Sequence, residues 1–175
     1  MTIKTILIVS TVCLIAALPF VIKERDDTGP GAIRIVKDLY YFDGKENPAQ
    51  SLDLYLPTDV KEGEKLPLVV FIHGGAWLQG DKKDSPCLLL AQKGYASASI
   101  NYRLTQEAVF PAQIDDCRAA IAYLRKNADK YGIDAKRIGV WGISAGGHLA
   151  ALLGTNPPAK DYAQGDASVQ AVLDW

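Results

Sequence analysis

The 175 residues carry 19 basic and 20 acidic side chains, a net charge of -1, and are 49% hydrophobic and 22% charged. That composition is that of one ordinary globular α/β domain or part of one. Acids and bases are interspersed, so no basic stripe gathers nucleic-acid phosphates, and the expected partners are small molecules or neutral polymers.

The N-terminal segment stands apart from the rest. Lys4 precedes a nearly unbroken apolar run from Ile6 to Ile22, which stops at Lys23-Glu24-Arg25-Asp26-Asp27. Residues 1–22 therefore read as a signal peptide or, if uncleaved, as a membrane anchor, and the expected location is secreted or periplasmic. Ser10-Thr11-Val12 ahead of Cys13 does not match a lipidation box. Residues 23–31, with Gly29-Pro30-Gly31, read as a linker, and 32–175 as the folded domain. Cys87 and Cys117 are expected as buried free thiols, and no Cys/His spacing suits zinc, so no metal or cofactor is expected.

Two strands are predicted first, Ile33 to Phe42 and Ser51 to Leu56, joined by a turn at Asp43-Gly44. Leu52, Leu54 and Leu56 alternate with polar positions in the second, and the two read as an antiparallel opening pair. Leu66 to Ile72 is a continuous apolar run, as in a parallel strand buried on both faces. It leads into His73-Gly74-Gly75-Ala76-Trp77, where backbone amides of small residues can face a cleft and donate to a developing negative oxygen. A helix is expected from Ser85 to Lys93, with Ser85 as N-cap and Gly94 as the stop. A strand follows at Tyr95 to Ile100, and then one helix from Ala112 to Tyr131, closed by Gly132. The acids Asp115 and Asp116 in its first turn read as structural, favouring the helix dipole.

The segment Arg137 to Trp141 is strand-like, and Ala145 to Leu153 is helical. Between them Gly142-Ile143-Ser144-Ala145-Gly146 spells GxSxG, the pattern that places a nucleophilic serine on a sharp strand-to-helix turn. The dinucleotide-binding pattern GxGxxG is not present at this turn, and no phosphate-loop lysine follows. A last strand is predicted at Val169 to Leu173. The alternation implies a mostly parallel sheet with helices on both faces.

His73-Gly74-Gly75-Ala76-Trp77, Asn101-Tyr102-Arg103-Leu104, Phe110-Pro111-Ala112 and Gly142 to His148 together resemble α/β-hydrolase esterases. The similarity extends from about Tyr40 to Trp175. It points to the hormone-sensitive-lipase-like carboxylesterases and the bifunctional feruloyl and acetyl xylan esterases. The resemblance implies an α/β-hydrolase fold in which Ser144 attacks a short acyl ester, with acetyl or feruloyl groups on polysaccharide among the substrates. It also implies an oxyanion hole from the backbone of Gly74, Gly75, Ala76 and Ala145. In that family an Asp or Glu and then a His follow the serine. Only His73 and His148 exist, and neither fits the base, so the sequence is expected to be the N-terminal part of the fold, without the triad Asp and His and nearly inactive alone. The alternatives are an arylformamidase-like amidase and a non-catalytic binding protein of the same fold.

Overall fold

The computed structural model describes residues 31–42, 46–156 and 163–175. The leader at 1–22, nearly all of the 23–31 linker and the Asp43-Gly44 turn lie outside the described residues. Among those described, no helix is long and apolar enough to cross a membrane.

Six strands form one mixed sheet: β1 (Ile33–Tyr40), β2 (Ser51–Pro57), β3 (Leu66–Ile72), β4 (Ala96–Ile100), β5 (Ile133–Gly142) and β6 (Ala171–Asp174), in the spatial order β1-β2-β4-β3-β5-β6. β1 and β2 pair antiparallel, as expected, and β2 runs antiparallel to β4. The pairs β4-β3, β3-β5 and β5-β6 are parallel.

The side-chain period of two divides the sheet's residues between two unlike faces. Leu52 and Leu54, Ala98 and Ile100, Val70 and Ile72, and Val140 form the apolar face, and all are buried in one cluster. It is covered by α2 (Ala112–Lys126) and α4 (Ala145–Thr155), which contribute Ile114, Cys117, Ile121 and Leu124, and Leu149 and Leu153. The other face aligns Asp53, Ser99, Phe71 and Trp141 across neighbouring strands. Over it lies the short α1 (Cys87–Gln92), whose Cys87 carbonyl accepts a hydrogen bond from Ser97 Oγ at 2.7 Å. Cys87 and Cys117 are free and buried.

β3 occupies Leu66–Ile72, as its apolar run predicts. Elsewhere the boundaries shift for local reasons. The helix predicted from Ser85 starts two residues later, because Pro86 supplies the N-cap and no side chain caps it. The long helix from Ala112 breaks at Asn127, whose Nδ2 turns back onto the Tyr123 carbonyl at 2.8 Å, and α3 (Ala128–Tyr131) follows as a separate turn. Gly132, at φ 68, closes α3 in the left-handed conformation that glycine adopts without strain. β5 begins at Ile133, four residues earlier than predicted. Its charged start bulges out of register, with Arg137 Nε on Asp134 Oδ2 at 2.6 Å. β6 starts at Ala171 rather than Val169, and just before it the Gln170 side chain accepts from Ile138 N at 3.0 Å.

Candidate active site

β3 is followed by α1 and β4 on one side, while the connection from β4 through α2 returns past β3 to β5 on the other. The carboxyl ends of β3 and β5 therefore flank a topological switch point, where open α/β sheets form clefts. The His73–Trp77 loop leaves one of these ends and the Gly142–Gly146 turn leaves the other. Ile143 N donates to Ile72 O at 3.3 Å and holds the two exits together.

Ser144 is the N-cap of α4 at φ 55, ψ -117, a conformation that side chains with a Cβ rarely adopt. The turn is enforced by packing around its two glycines. A Cβ on Gly142 would lie 2.0 Å from Gly146 O, and one on Gly146 would lie 2.1 Å from Ile72 O. The spacing G-x-S-x-G is thus a requirement of close backbone approach: helix start against strand end, with the serine pushed outward between them. Ser144 is exposed, and its N–H donates to the carbonyl of Trp175.

Gly74 abuts the serine. A Cβ there would fall 3.3 Å from Ser144 Cβ and 2.8 Å from Ile143 O, so only glycine lets the loop come this close. Gly75 is at φ 113, and its carbonyl accepts from Leu78 N and Gln79 N at 2.9 and 3.1 Å. Ala76 and Trp77 are also at positive φ, 53 and 60. The N–H groups of Gly74, Gly75, Ala76 and Ala145 have no backbone acceptor among the described residues. The loop also borders an open cleft of about 460 Å³ whose apolar lining includes Phe71 and Ile143.

The loop rests on residues that the sequence reading assigned no role. Tyr102 stacks on the His73 ring, with centroids 4.4 Å apart, and its hydroxyl donates to His73 O at 3.0 Å. Asn101 Oδ1 accepts from Lys82 N at 2.6 Å. Arg103 forms a fork on Asp116, Nε to Oδ2 and Nη2 to Oδ1, both at 2.8 Å, and Gln50 Nε2 shares Oδ1 at 2.8 Å. Asp116 is fully buried, so the expectation that it serves the helix dipole is corrected: its structural role is to pin the Asn101–Leu104 segment to α2. Asp115 faces Arg118 at 3.1 Å.

The two histidines are differently engaged. His73 Nδ1 donates to Gly74 O at 2.8 Å, while Nε2 is buried and has no partner among the described residues. Burial pushes the His73 pKa down, against the opposing pull of the Gly74 carbonyl and of Asp81 and Asp84. His148, one turn into α4, meets the Trp77 ring edge-on at 5.4 Å. Asp161 lies outside the described residues. Asp166 caps Ser168 N at 2.8 Å, and Asp174 ends β6. Among the described residues no cluster could hold a metal ion.

A mixed sheet flanked by helices, with a serine on the turn after the central parallel strand and a glycine loop against it, is the arrangement of the α/β-hydrolase esterases. The chain belongs to one family of that class, BD-FAE, which it matches over residues 52–175. Esterase LipC of Mycobacterium tuberculosis is 37% identical over 144 residues, covering 74% of this chain and 36% of that protein. A probable isoprenylcysteine alpha-carbonyl methylesterase of rice, Oryza sativa subsp. japonica, is 36% identical over 153 residues, 82% of this chain and 35% of its own. The chain thus spans about a third of the length of these curated relatives. Among solved structures, a bifunctional GH43-CE protein of Bacteroides eggerthii superposes with a TM-score of 0.71 at 36% identity, covering 81% of this chain and 20% of that one. A truncated carbohydrate esterase from gut microbiota superposes at 0.70 and 34% identity, covering 81% and 55%.

Proposed function

We propose that this chain carries the nucleophile and the oxyanion donors of a serine carboxylesterase that cleaves short acyl esters, with acetyl or feruloyl esters on polysaccharide as the substrate class. The observation that carries the reading is the conformation of Ser144, held at φ 55 on an exposed turn with Gly74 packed against its Cβ. Backbone strain at an exposed nucleophile is otherwise a cost without return. The esterase names of the relatives and the carbohydrate esterase among the structural neighbours support the substrate class.

In this mechanism Ser144 Oγ attacks the ester carbonyl, its proton passes to a base, and the alcohol departs to leave an acyl-enzyme that water hydrolyses. The carbonyl oxygen becomes negative in the transition state. The Ala145 N–H at the start of α4 and the N–H groups of Gly74 to Ala76, none of which has a backbone acceptor among the described residues, are its donors. Neither histidine is the base. The His73 ring is committed to Gly74 O and Tyr102, and His148 rests on Trp77. We assign the triad Asp and His to polypeptide outside these 175 residues. With residues 1–22 as a leader, the enzyme acts as a secreted or periplasmic protein.

A missing base can be replaced from solution, which gives a direct test. The purified chain is expected to hydrolyse p-nitrophenyl acetate at the buffer rate, and to accelerate when imidazole is added, beyond the reaction of imidazole itself. Ser144→Ala is expected to abolish the acceleration while leaving the fold intact. Imidazole-dependent rates identical in the two proteins would overturn the esterase reading. Robust turnover without imidazole that requires Ser144 would overturn the assignment of the base.

A further inference from the structure

The limb that returns from the Gly74–Ala76 loop ends in a buried ion cluster that the serine chemistry does not use. Lys82 is only 3% exposed. Its Nζ donates to Asp53 Oδ1 on β2 and, at 2.6 Å, to Asp38 Oδ1 on β1. Asp53 is equally buried, and its Oδ1 also accepts from Asp38 N at 2.9 Å. Asp38 sits at φ 55 inside the irregularity of the β1-β2 pairing between Val36 and Leu39. One strand is therefore bent so as to bring a second carboxylate to one lysine. Desolvation opposes a buried ammonium, but the two carboxylates outweigh it and hold the Lys82 pKa above its ordinary value.

The cluster reaches the site through the short backbone run from Lys82 to Gly80. Lys82 N is held at the end of β4 by Asn101 Oδ1, and its Nζ is held by Asp53 on the neighbouring β2, so the residue is tied to the sheet at both ends. Two residues before it, Gly80 is wedged against the start of the loop: a Cβ there would lie 2.3 Å from His73 Nδ1 and 2.5 Å from Gly74 O. Gly80 therefore packs against His73 and Gly74 with no room for a side chain between them.

We propose that Lys82 is a positioning residue for ester hydrolysis: its ion cluster with Asp53 and Asp38 fixes Gly80 against His73 and Gly74, and so sets the aim of the Gly74–Ala76 N–H donors at the oxyanion. This inference rests on the esterase reading of Ser144. Preorganised donors stabilise a transition state only if they need not reorganise during the reaction, and misplacement of about 1 Å can cost on the order of 100-fold in rate.

The test uses the full chain with Lys82→Met, Lys82→Arg and Asp38→Asn, read two ways. In imidazole-assisted hydrolysis of p-nitrophenyl acetate, Lys82→Met is expected to lower the Ser144-dependent kcat on the order of 10-fold to 100-fold with KM changed by less than about twofold. Lys82→Arg, which keeps the charge, is expected to recover most of it. In amide hydrogen exchange, Lys82→Met is expected to speed exchange at residues 74–80 while β3 and β5 stay protected. Unchanged kcat and loop exchange, or a rise in exchange spread evenly over the sheet, would reduce Lys82 to a general staple and overturn the proposal. If Lys82→Met does not fold, Asp38→Asn, at the half-exposed edge of the cluster, is expected to show the same loop-confined rise, and its absence overturns the proposal. If the unsubstituted chain shows no Ser144-dependent rate, the esterase reading fails by itself, and the exchange pattern still decides whether Lys82 holds the loop.

Discussion

At the scale of single residues, the site is built from backbone that has been forced close. Gly142, Gly146 and Gly74 each face a carbonyl that a Cβ would strike, and Ser144 takes up the resulting strain at positive φ. His73 belongs to the same tight set and is its acid-titrating member. Its neutral ring donates through Nδ1 to Gly74 O and buries Nε2, where a second proton would make an N–H with no acceptor among the described residues. Its folded pKa is lowered from 6.5, so between the two values the unfolded chain binds more protons than the folded one. The stability contributed by neutral His73 is complete above the unfolded value and is lost as pH falls through it toward the folded value. Urea unfolding from about pH 7.5 down to about pH 5 is expected to show a falling midpoint, and His73→Asn, whose amide can keep the bond to Gly74 O, is expected to flatten that fall. An equally steep fall in the variant would place the proton uptake elsewhere.

Between elements, the weight rests on polar ties rather than on apolar contact alone. Asp116 carries three partners from two distant segments: the Arg103 fork, Arg103 N at 2.9 Å and Gln50. Removing it leaves a guanidinium and an amide without acceptors in the interior. Asp116→Ala is expected to cost about 3 kcal/mol of stability in denaturant unfolding, the lower end for a broken buried pair because Arg103 keeps partial access to water. A loss below about 1 kcal/mol would show that the tie is not structural. These elements differ in how plainly the sequence announces them. β3 is legible to the residue because a strand buried on both faces must be apolar throughout. The break at Asn127 is not, because the apolar spacing runs on through it and one side-chain amide decides the matter. Asp116 looks like an ordinary first-turn acid until Arg103 and Gln50 are folded onto it.

Over the whole molecule, the motifs report chemistry while the folding of the chain reports support. Gly74, Gly75, Ala76, Ser144 and Ala145 are recognisable in sequence because a sharp turn and close backbone approach restrict residue type locally. Lys82, Asp53 and Asp38 carry no such signal, and Asn101, although part of a recognised motif, gives no hint of its bond to Lys82. They lie on different segments and meet only in the folded sheet, where Asn101 at the end of β4 holds the Lys82 backbone while Asp53 on β2 and Asp38 on β1 hold its ammonium. The same order places the exits of β3 and β5 side by side, which unites a loop and a turn about 70 residues apart into one proposed site.

The central claim is that Ser144 accepts an acyl group in a site whose donors are already in place. Peptide mapping by mass spectrometry, after the chain is treated with p-nitrophenyl acetate and imidazole, tests it most directly. The account predicts one acetyl group on the peptide that contains Ser144, lost in Ser144→Ala and much reduced in Lys82→Met. Acetyl groups scattered over exposed lysines, with Ser144 unmodified, would contradict it.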